Sequence, residues 1–234
     1  MTAPYVYDDY DKIMTTMKTQ ALIGLLAVLL GAGVARGALY TEAFSGINLT
    51  IPDGNPVGIS LGETVSDIPG GNTVSGLTVD LSVSGGYNGN LYAYLVAPNG
   101  TLVMLLNQPG VAISNPFGYA GSGLNVTLSD TAAGSIQTTP ETPGSVFSGT
   151  FQAAGTLGVV SGSAADGTWT LFFADEVAGG GQATLNGWSL NITAVPEPAN
   201  MAMIIFGVGI IGVGIVRCIR NSRKAIPHTP QPVA

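Results

Sequence analysis

Between Ala38 and Val195 the sequence contains no lysine, arginine, histidine or cysteine, against ten aspartates and glutamates. A stretch without one cation cannot neutralise phosphates, which excludes nucleic acid as its partner. Nucleophilic catalysis by a Ser-His or Cys-His pair needs a base beside the nucleophile, and none of the usual bases is present. Protease chemistry is argued against on that ground, and without imidazole or thiolate so are transition-metal sites. The single cysteine, Cys218, cannot form an internal disulfide. It falls just beyond an apolar run and reads as inert at a membrane edge, with reversible acylation as the alternative. The single histidine, His228, lies further on and reads as incidental.

Charge as a whole is scarce, at 9% of residues against about a quarter in ordinary domains. In its place stand 34 glycines and many Ser, Thr and Asn, an extracellular β-protein composition. At 234 residues the chain holds one domain of ordinary size with terminal extensions. All seven Lys and Arg fall in those extensions. The charged partners expected for the middle are therefore cations.

The N-terminal extension, residues 1–37, contains "MKTQALIGLLAVLLGAGVARGALY" from Met17. Lys18, an apolar stretch from Ala21 to Val34 and small residues after it have the layout of a signal peptide. The expected signal-peptidase cut follows Gly37, with Ala35 nearby. An uncleaved anchor is the alternative, but the apolar stretch is too short to span comfortably. Translation starts at Met1, Met14 or Met17, since the Tyr- and Asp-rich opening is foreign to a signal sequence.

At the other end, residues 195–224 combine Val195-Pro196-Glu197-Pro198, sixteen uncharged residues from Met201 to Val216, and Arg217, Arg220, Arg223 and Lys224. At about 1.5 Å per residue such a helix reaches roughly 24 Å, slightly short of a ~30 Å hydrocarbon core, so flanking residues must complete a transmembrane helix. The basic cluster stays cytoplasmic and arrests transfer, leaving residues 225–234 as a cytoplasmic tail. Pro196 and Pro198 hold the backbone extended just outside the membrane. Glycines 207, 209, 212 and 214 also suit close helix packing.

Motif, short span and basic tail in this order closely resemble the PEP-CTERM sorting signal of Gram-negative bacteria. The resemblance implies export through the inner membrane, transient membrane residence, and an exosortase that removes the helix and passes the protein to the cell surface. It also implies association with exopolysaccharide, biofilm matrix or other surface proteins. A plain single-span anchor is the alternative.

The middle reads as strands. "LTVDLSV" alternates strictly, with Leu77, Val79, Leu81 and Val83 on one face. Leu91 to Val96 and Leu102 to Leu106 flank Pro98-Asn99-Gly100 and are expected to pair as a hairpin, with positive φ angles at the Asn-Gly step. "GLNVTLSD", "DGTWTLFFAD" and "NGWSLNITA" supply further strands, with Trp169, Leu171 and Phe173 on one face, and Trp188, Leu190 and Ile192 toward a core. Residues 138–155 read as a long surface excursion. Short strands, frequent turns and no helical period predict an all-β sandwich or jelly roll.

"IPDGNP" (51–56), "GYNGNLYAYLVAPNGTLVMLLNQPG" (86–110) and "ADGTWTLFFAD" with "ATLNGWSLNI" (165–192) are similar to the P domain (P/Homo B) that follows the catalytic domain of subtilisin-like proprotein convertases. The resemblance covers residues 45–194 and implies a galactose-binding-like jelly-roll β-sandwich, often with structural calcium. Asp53, Asp166 and Asp175 are the acids in the matching blocks and hence the candidate calcium ligands. Hard calcium wants six to eight oxygens, which carboxylates, Asn side chains and loop carbonyls supply here; Asp before Gly is also simply a turn former. Where the family commonly has His-Thr-Tyr-x-Gly-Asp-Leu, this chain has Gly85-Gly86-Tyr87-Asn88-Gly89-Asn90-Leu91, so Asn90 replaces an acid. No subtilase catalytic domain accompanies these blocks in the sequence.

Asp175-Glu176 is the only adjacent carboxylate pair of this stretch, and neighbours on a strand face opposite ways, which argues against glycosidase chemistry. Asn48, Asn99, Asn125 and Asn191 open Asn-x-Ser/Thr sequons, read with a bacterial sorting signal as products of composition. The sequence therefore predicts a non-catalytic exported surface or matrix protein. Its alternatives are an accessory module for a separately encoded subtilisin-like serine protease, or a carboxylate hydrolase.

Overall fold

The computed structural model describes residues 37–197 and, beyond them, the helical residues Met203, Phe206, Gly207, 209–214 and Arg217. The signal-peptide residues up to Arg36, together with Pro198, Cys218, Arg220, Arg223, Lys224 and His228, lie outside the described residues. Among the described residues no helix is long and apolar enough to cross a membrane. The helical positions fall within and just after the apolar run, and Met203, Phe206, Ile210, Ile211 and Val213 are exposed.

Residues Gly37–Glu197 form a compact unit of nine strands. These are β1 (Ala38–Ile51), β2 (Asn55–Val65), β3 (Asn72–Gly85), β4 (Leu91–Val96), β5 (Leu102–Asn107), β6 (Gly123–Leu128), β7 (Phe147–Phe151), β8 (Gly167–Asp175) and β9 (Ala183–Pro196). They make a five-stranded sheet in the order β1-β9-β3-β6-β7 and a four-stranded sheet in the order β2-β8-β4-β5. All pairs are antiparallel except β6 with β7.

The period-two pattern of the sequence decides which face each strand buries. In β3, Leu77, Val79, Leu81 and Val83 are buried while Thr78, Asp80 and Ser82 stay partly exposed. Trp169, Leu171 and Phe173 of β8 meet Trp188, Leu190 and Ile192 of β9 in one core between the sheets. The predicted strands and the hairpin are present, with one difference at the turn. Only Gly100 takes a positive φ, of 84°. The Asn99 side chain instead accepts the Thr101 N–H at 3.0 Å. Gly100 N–H bonds Ala97 O at 2.8 Å, closing a turn in which one left-handed residue suffices.

The excursion at 138–155 is not wholly irregular, because β7 lies within it and joins the sheet edge alongside β6. Its sequence, FSGTF, buries none of its residues fully, so it lacks the alternation that marks the other strands. Pairing also runs past the predicted limits of 45 and 194. β1 starts at Ala38, opposite Ala194, and Asn72 pairs Pro196.

Phe173 is fully buried between the sheets, so Phe173→Ala should destabilise the sandwich by about 3–5 kcal/mol in urea unfolding. Thr64 faces Thr168 on the exposed surface, Oγ1 to Oγ1 at 3.3 Å, and Thr64→Ala should stay within about 0.5 kcal/mol of the parent.

Candidate functional site

The stretch Gly85 to Leu91 makes a tight passage from β3 to β4. Asn88, Gly89 and Asn90 form a single 3-10 turn, and all three are buried. Burial of polar side chains is tolerable only if they are hydrogen-bonded, and the two asparagines meet that demand in different directions. Asn90 Nδ2 donates to Val177 O at 2.8 Å. Asn88 Nδ2 donates to Gly123 O at 3.0 Å and to Glu141 Oε2 at 2.7 Å, while Gly123 N–H donates to Asn88 Oδ1 at 3.0 Å.

On the Asn90 side stand two of the candidate calcium ligands. Asp175, the last residue of β8, pairs with Asn55 and is 0% exposed. Its Oδ1 accepts the Val177 N–H at 3.2 Å, and its Oδ2 is buried with no partner. Asp53 accepts the Gly179 N–H on both oxygens, at 3.2 and 3.0 Å. Burial raises the Asp175 carboxyl above the usual range, the Asp53 charge adds to this, and the Val177 and Gly54 N–H groups and the Asn90 amide oppose it. An unpaired buried oxygen beside a second carboxylate is a place where a cation would relieve both costs. Asp166 does not belong to this group: it precedes β8 at the strand's other end, roughly 30 Å away at ~3.3 Å per residue. Among the described residues no three acidic, His or Cys side chains converge, so any hard cation there would rely on Asn90 and loop carbonyls as well.

Glu141 was not signalled by the sequence, because it sits in an irregular segment with no periodicity to place it. Gly121 makes room for it, since a Cβ there would overlap the Glu141 carboxylate and come 2.6 Å from Asn88 Nδ2. Its Oε1 is buried without a partner. Burial pushes its carboxyl above the usual glutamate range, against the lowering effect of Asn88 and the Gly121 N–H. Asp130 was missed for the same reason. It accepts the Leu157 N–H at 2.8 Å and the Gly158 N–H at 2.7 Å, fixing the start of the 3-10 turn Leu157–Val160.

Asp175 and Glu176 do not form a catalytic pair. The first is fully buried, and the second lies past the strand end with its N–H donating to Asn90 O at 2.9 Å. Of the sorting motif, Val195 and Pro196 are strand residues paired with Thr73 and Asn72, and Glu197 N–H donates to Gly71 O at 3.0 Å. Arg217 lies in the helical stretch.

A two-sheet sandwich with a buried Asn-Gly-Asn turn, acids at the strand ends and Trp169 and Trp188 in its core defines an all-β sandwich module. The family model described as the proprotein convertase P-domain matches residues 74–192, just over half of the chain. The chain belongs to the proprotein convertase P-domain family, and the P domain is a non-catalytic accessory domain. Among solved structures, an Aeromonas sobria serine protease in complex with its chaperone is 17% identical with a TM-score of 0.43, over 73% of this chain and 29% of that one. The Aeromonas sobria serine protease described without the chaperone gives 16%, 0.43, 71% and 29% respectively. This chain thus spans less than a third of the length of either. No curated protein matches it.

The raised Glu141 carboxyl fixes a sign. The folded state holds its proton to higher pH than the unfolded chain does, so stability falls as pH rises from the unfolded Glu value through the folded one. Glu141→Gln keeps an acceptor for Asn88 and removes the charge. Its denaturant midpoint should exceed that of the parent at neutral pH and should lose this fall on titration upward from pH 4.5.

Proposed function

We propose that this chain is an exported, non-catalytic surface or matrix protein whose P domain is a galactose-binding-like jelly roll, delivered by its two ends and released by an exosortase. The observation that carries the reading is the order of Val195-Pro196-Glu197-Pro198, an uncharged run and a basic cluster at 195–224. With β7 set aside, the sheet orders β1-β9-β3-β6 and β2-β8-β4-β5 support the jelly-roll assignment. Signal peptidase acts after Gly37, one residue before β1 begins. The exosortase acts at the motif, where β9 ends at Pro196. Both cuts then fall at the rim of the folded unit, and a motif cut beyond Glu197 leaves its pairing intact. The stop-transfer role of Arg217, Arg220, Arg223 and Lys224 belongs to the same reading, as does association with exopolysaccharide or other surface proteins. The absence of any Lys, Arg, His or Cys from 38 to 195 supports the lack of an enzymatic role.

A second reading has one observation in its favour, the family match itself. In it the chain is an accessory module for a separately encoded subtilisin-like serine protease. Intact mass of the protein recovered from native cells separates the two. The first reading expects a species beginning near Ala38 and ending near the Pro-Glu-Pro site. A chain of full length that co-purifies with a subtilase favours the second.

Under either reading we propose a structural calcium held by Asp53, Asp175 and the Asn90 amide oxygen, completed by loop carbonyls. Asp166 contributes to no such set. The buried unpaired Oδ2 of Asp175 is what supports the site. Millimolar calcium should raise the melting temperature relative to chelator in the parent and leave Asp175→Asn unmoved. Identical parent curves with and without calcium would remove the metal.

A further inference from the structure

The outer face of the five-stranded sheet carries a cavity of about 270 Å³ that none of the roles above uses. Its origin is a break in register. β9 pairs smoothly with β1 up to Ser45 opposite Gly187, and the register then shifts; β3 shifts against the same part of β9 between Ser82 and Val83. Gly187 therefore lies between Ser45 and Ser82 with no side chain, and a Cβ there would come 2.8 Å from Phe44 O. The β1 backbone takes the place of a side chain at Gly187, and the double register shift accompanies a dent in the paired surface.

The polar side chains lining the dent are Ser45, Asp80, Ser82, Asn125, Asn186 and Ser189. Asp80 is their centre. Its Oδ1 accepts from Thr127 Oγ1 at 2.5 Å, and its Oδ2 from Ser189 Oγ at 2.6 Å and Asn191 Nδ2 at 3.0 Å. Burial works to raise its carboxyl, but these three donors outweigh it and hold the group below the usual range. Among the described residues the side chains of Ser45, Ser82 and Asn125 make no hydrogen bond. Trp188, which also lines the cavity, keeps a buried indole N–H without an acceptor.

This lining selects a class of ligand by elimination. An anion meets Asp80 and finds no cation anywhere from 38 to 195. A metal ion finds a single carboxylate whose two oxygens are already engaged, whereas calcium needs several free oxygens. A purely apolar molecule leaves hydroxyls and an amide unpaired at a cost. What remains is a neutral molecule rich in O–H groups, able both to donate to carboxylate lone pairs and to exchange hydrogen bonds with the Ser and Asn side chains. The volume lies just under the ~300–1,000 Å³ of pockets for drug-sized ligands, enough for about one sugar ring. We infer that this cavity binds one residue of a neutral glycan. The inference deepens the matrix reading above, and rests on it only for where such a glycan is met.

The test is saturation-transfer NMR on the full chain in a non-glycosidic detergent. The probes are the methyl glycosides of glucose, galactose, mannose and N-acetylglucosamine, with galacturonate and glucosamine as charged controls. At least one neutral glycoside should receive transfer at millimolar concentration, and both charged sugars should bind at least tenfold more weakly. The variant carrying Ser82→Ala and Asn125→Ala should lose at least tenfold in affinity with its melting temperature unchanged, since neither side chain holds the fold together. No transfer to any neutral glycoside, equal binding of the charged controls, or full affinity in the double variant would overturn the site. A failed matrix reading shows instead in the intact mass, which this titration does not touch.

Discussion

Ten carboxylates share the sandwich with no positively charged side chain between Ala38 and Val195, and the structure is organised around satisfying them without ion pairs. Neutral donors take the place of cations. Asp130 bonds the N–H groups of Leu157 and Gly158, Asp53 that of Gly179, Glu141 the amide of Asn88, and Asp80 the side chains of Thr127, Ser189 and Asn191. Each such contact ties together segments far apart in sequence. Charged acceptors make hydrogen bonds about twice as strong as neutral ones, so a handful of acids cross-links loops that apolar packing alone leaves loose. Two buried oxygens escape this scheme, Asp175 Oδ2 and Glu141 Oε1. Both sit beside the buried Asn88–Asn90 turn, which makes that turn the point where the electrostatics is least settled.

The mechanical centre is β9. Fourteen residues long, it pairs with β1 on one side and β3 on the other, and its inward face carries Trp188, Leu190 and Ile192. The same strand governs how the domain connects to its ends. Ala38 lies opposite Ala194, and Pro196 opposite Asn72, so the first and last residues of the unit are close neighbours at one rim. The exosortase proposed above would meet Val195 and Pro196 already fixed by strand pairing at that rim. The proposed cleavage would therefore favour a bond beyond Glu197, or need a brief fraying of a strand end held by few bonds, which is the least protected part of a ladder.

What the sequence made legible followed from periodicity and from turn chemistry. Leu77 to Val83 and Trp169 to Phe173 could be placed on faces because a strand repeats every two residues, and the two inward tryptophans announced themselves by the company they keep. β7 was invisible for the converse reason: FSGTF buries no residue fully and pairs only at an edge, so nothing in its composition separates it from loop. The site was half legible. Asp53 and Asp175 lie 122 positions apart, and their meeting depends on β2 pairing with β8, which no local pattern reports. Asp166 looked equivalent to them on sequence grounds, yet occupies the opposite end of β8. Gly187 and its cavity depend on two register shifts in neighbouring ladders, a feature of pairing rather than of any one strand.

Asn90 carries the argument about calcium further than the acids do. It stands at the position where the resemblance places an acid, so the proposed site has two carboxylates rather than three. Calcium affinity is tuned by ligand charge and rigidity, and extracellular modules work at about 10⁻⁴–10⁻³ M. The proposed site, one charge poorer, would belong at that weak end. The same substitution limits repulsion among the acids, because the Asn90 amide holds Val177 O at 2.8 Å where a third carboxylate would add charge. The domain can thereby fold without a cation, and a calcium bound as proposed would add to its stability.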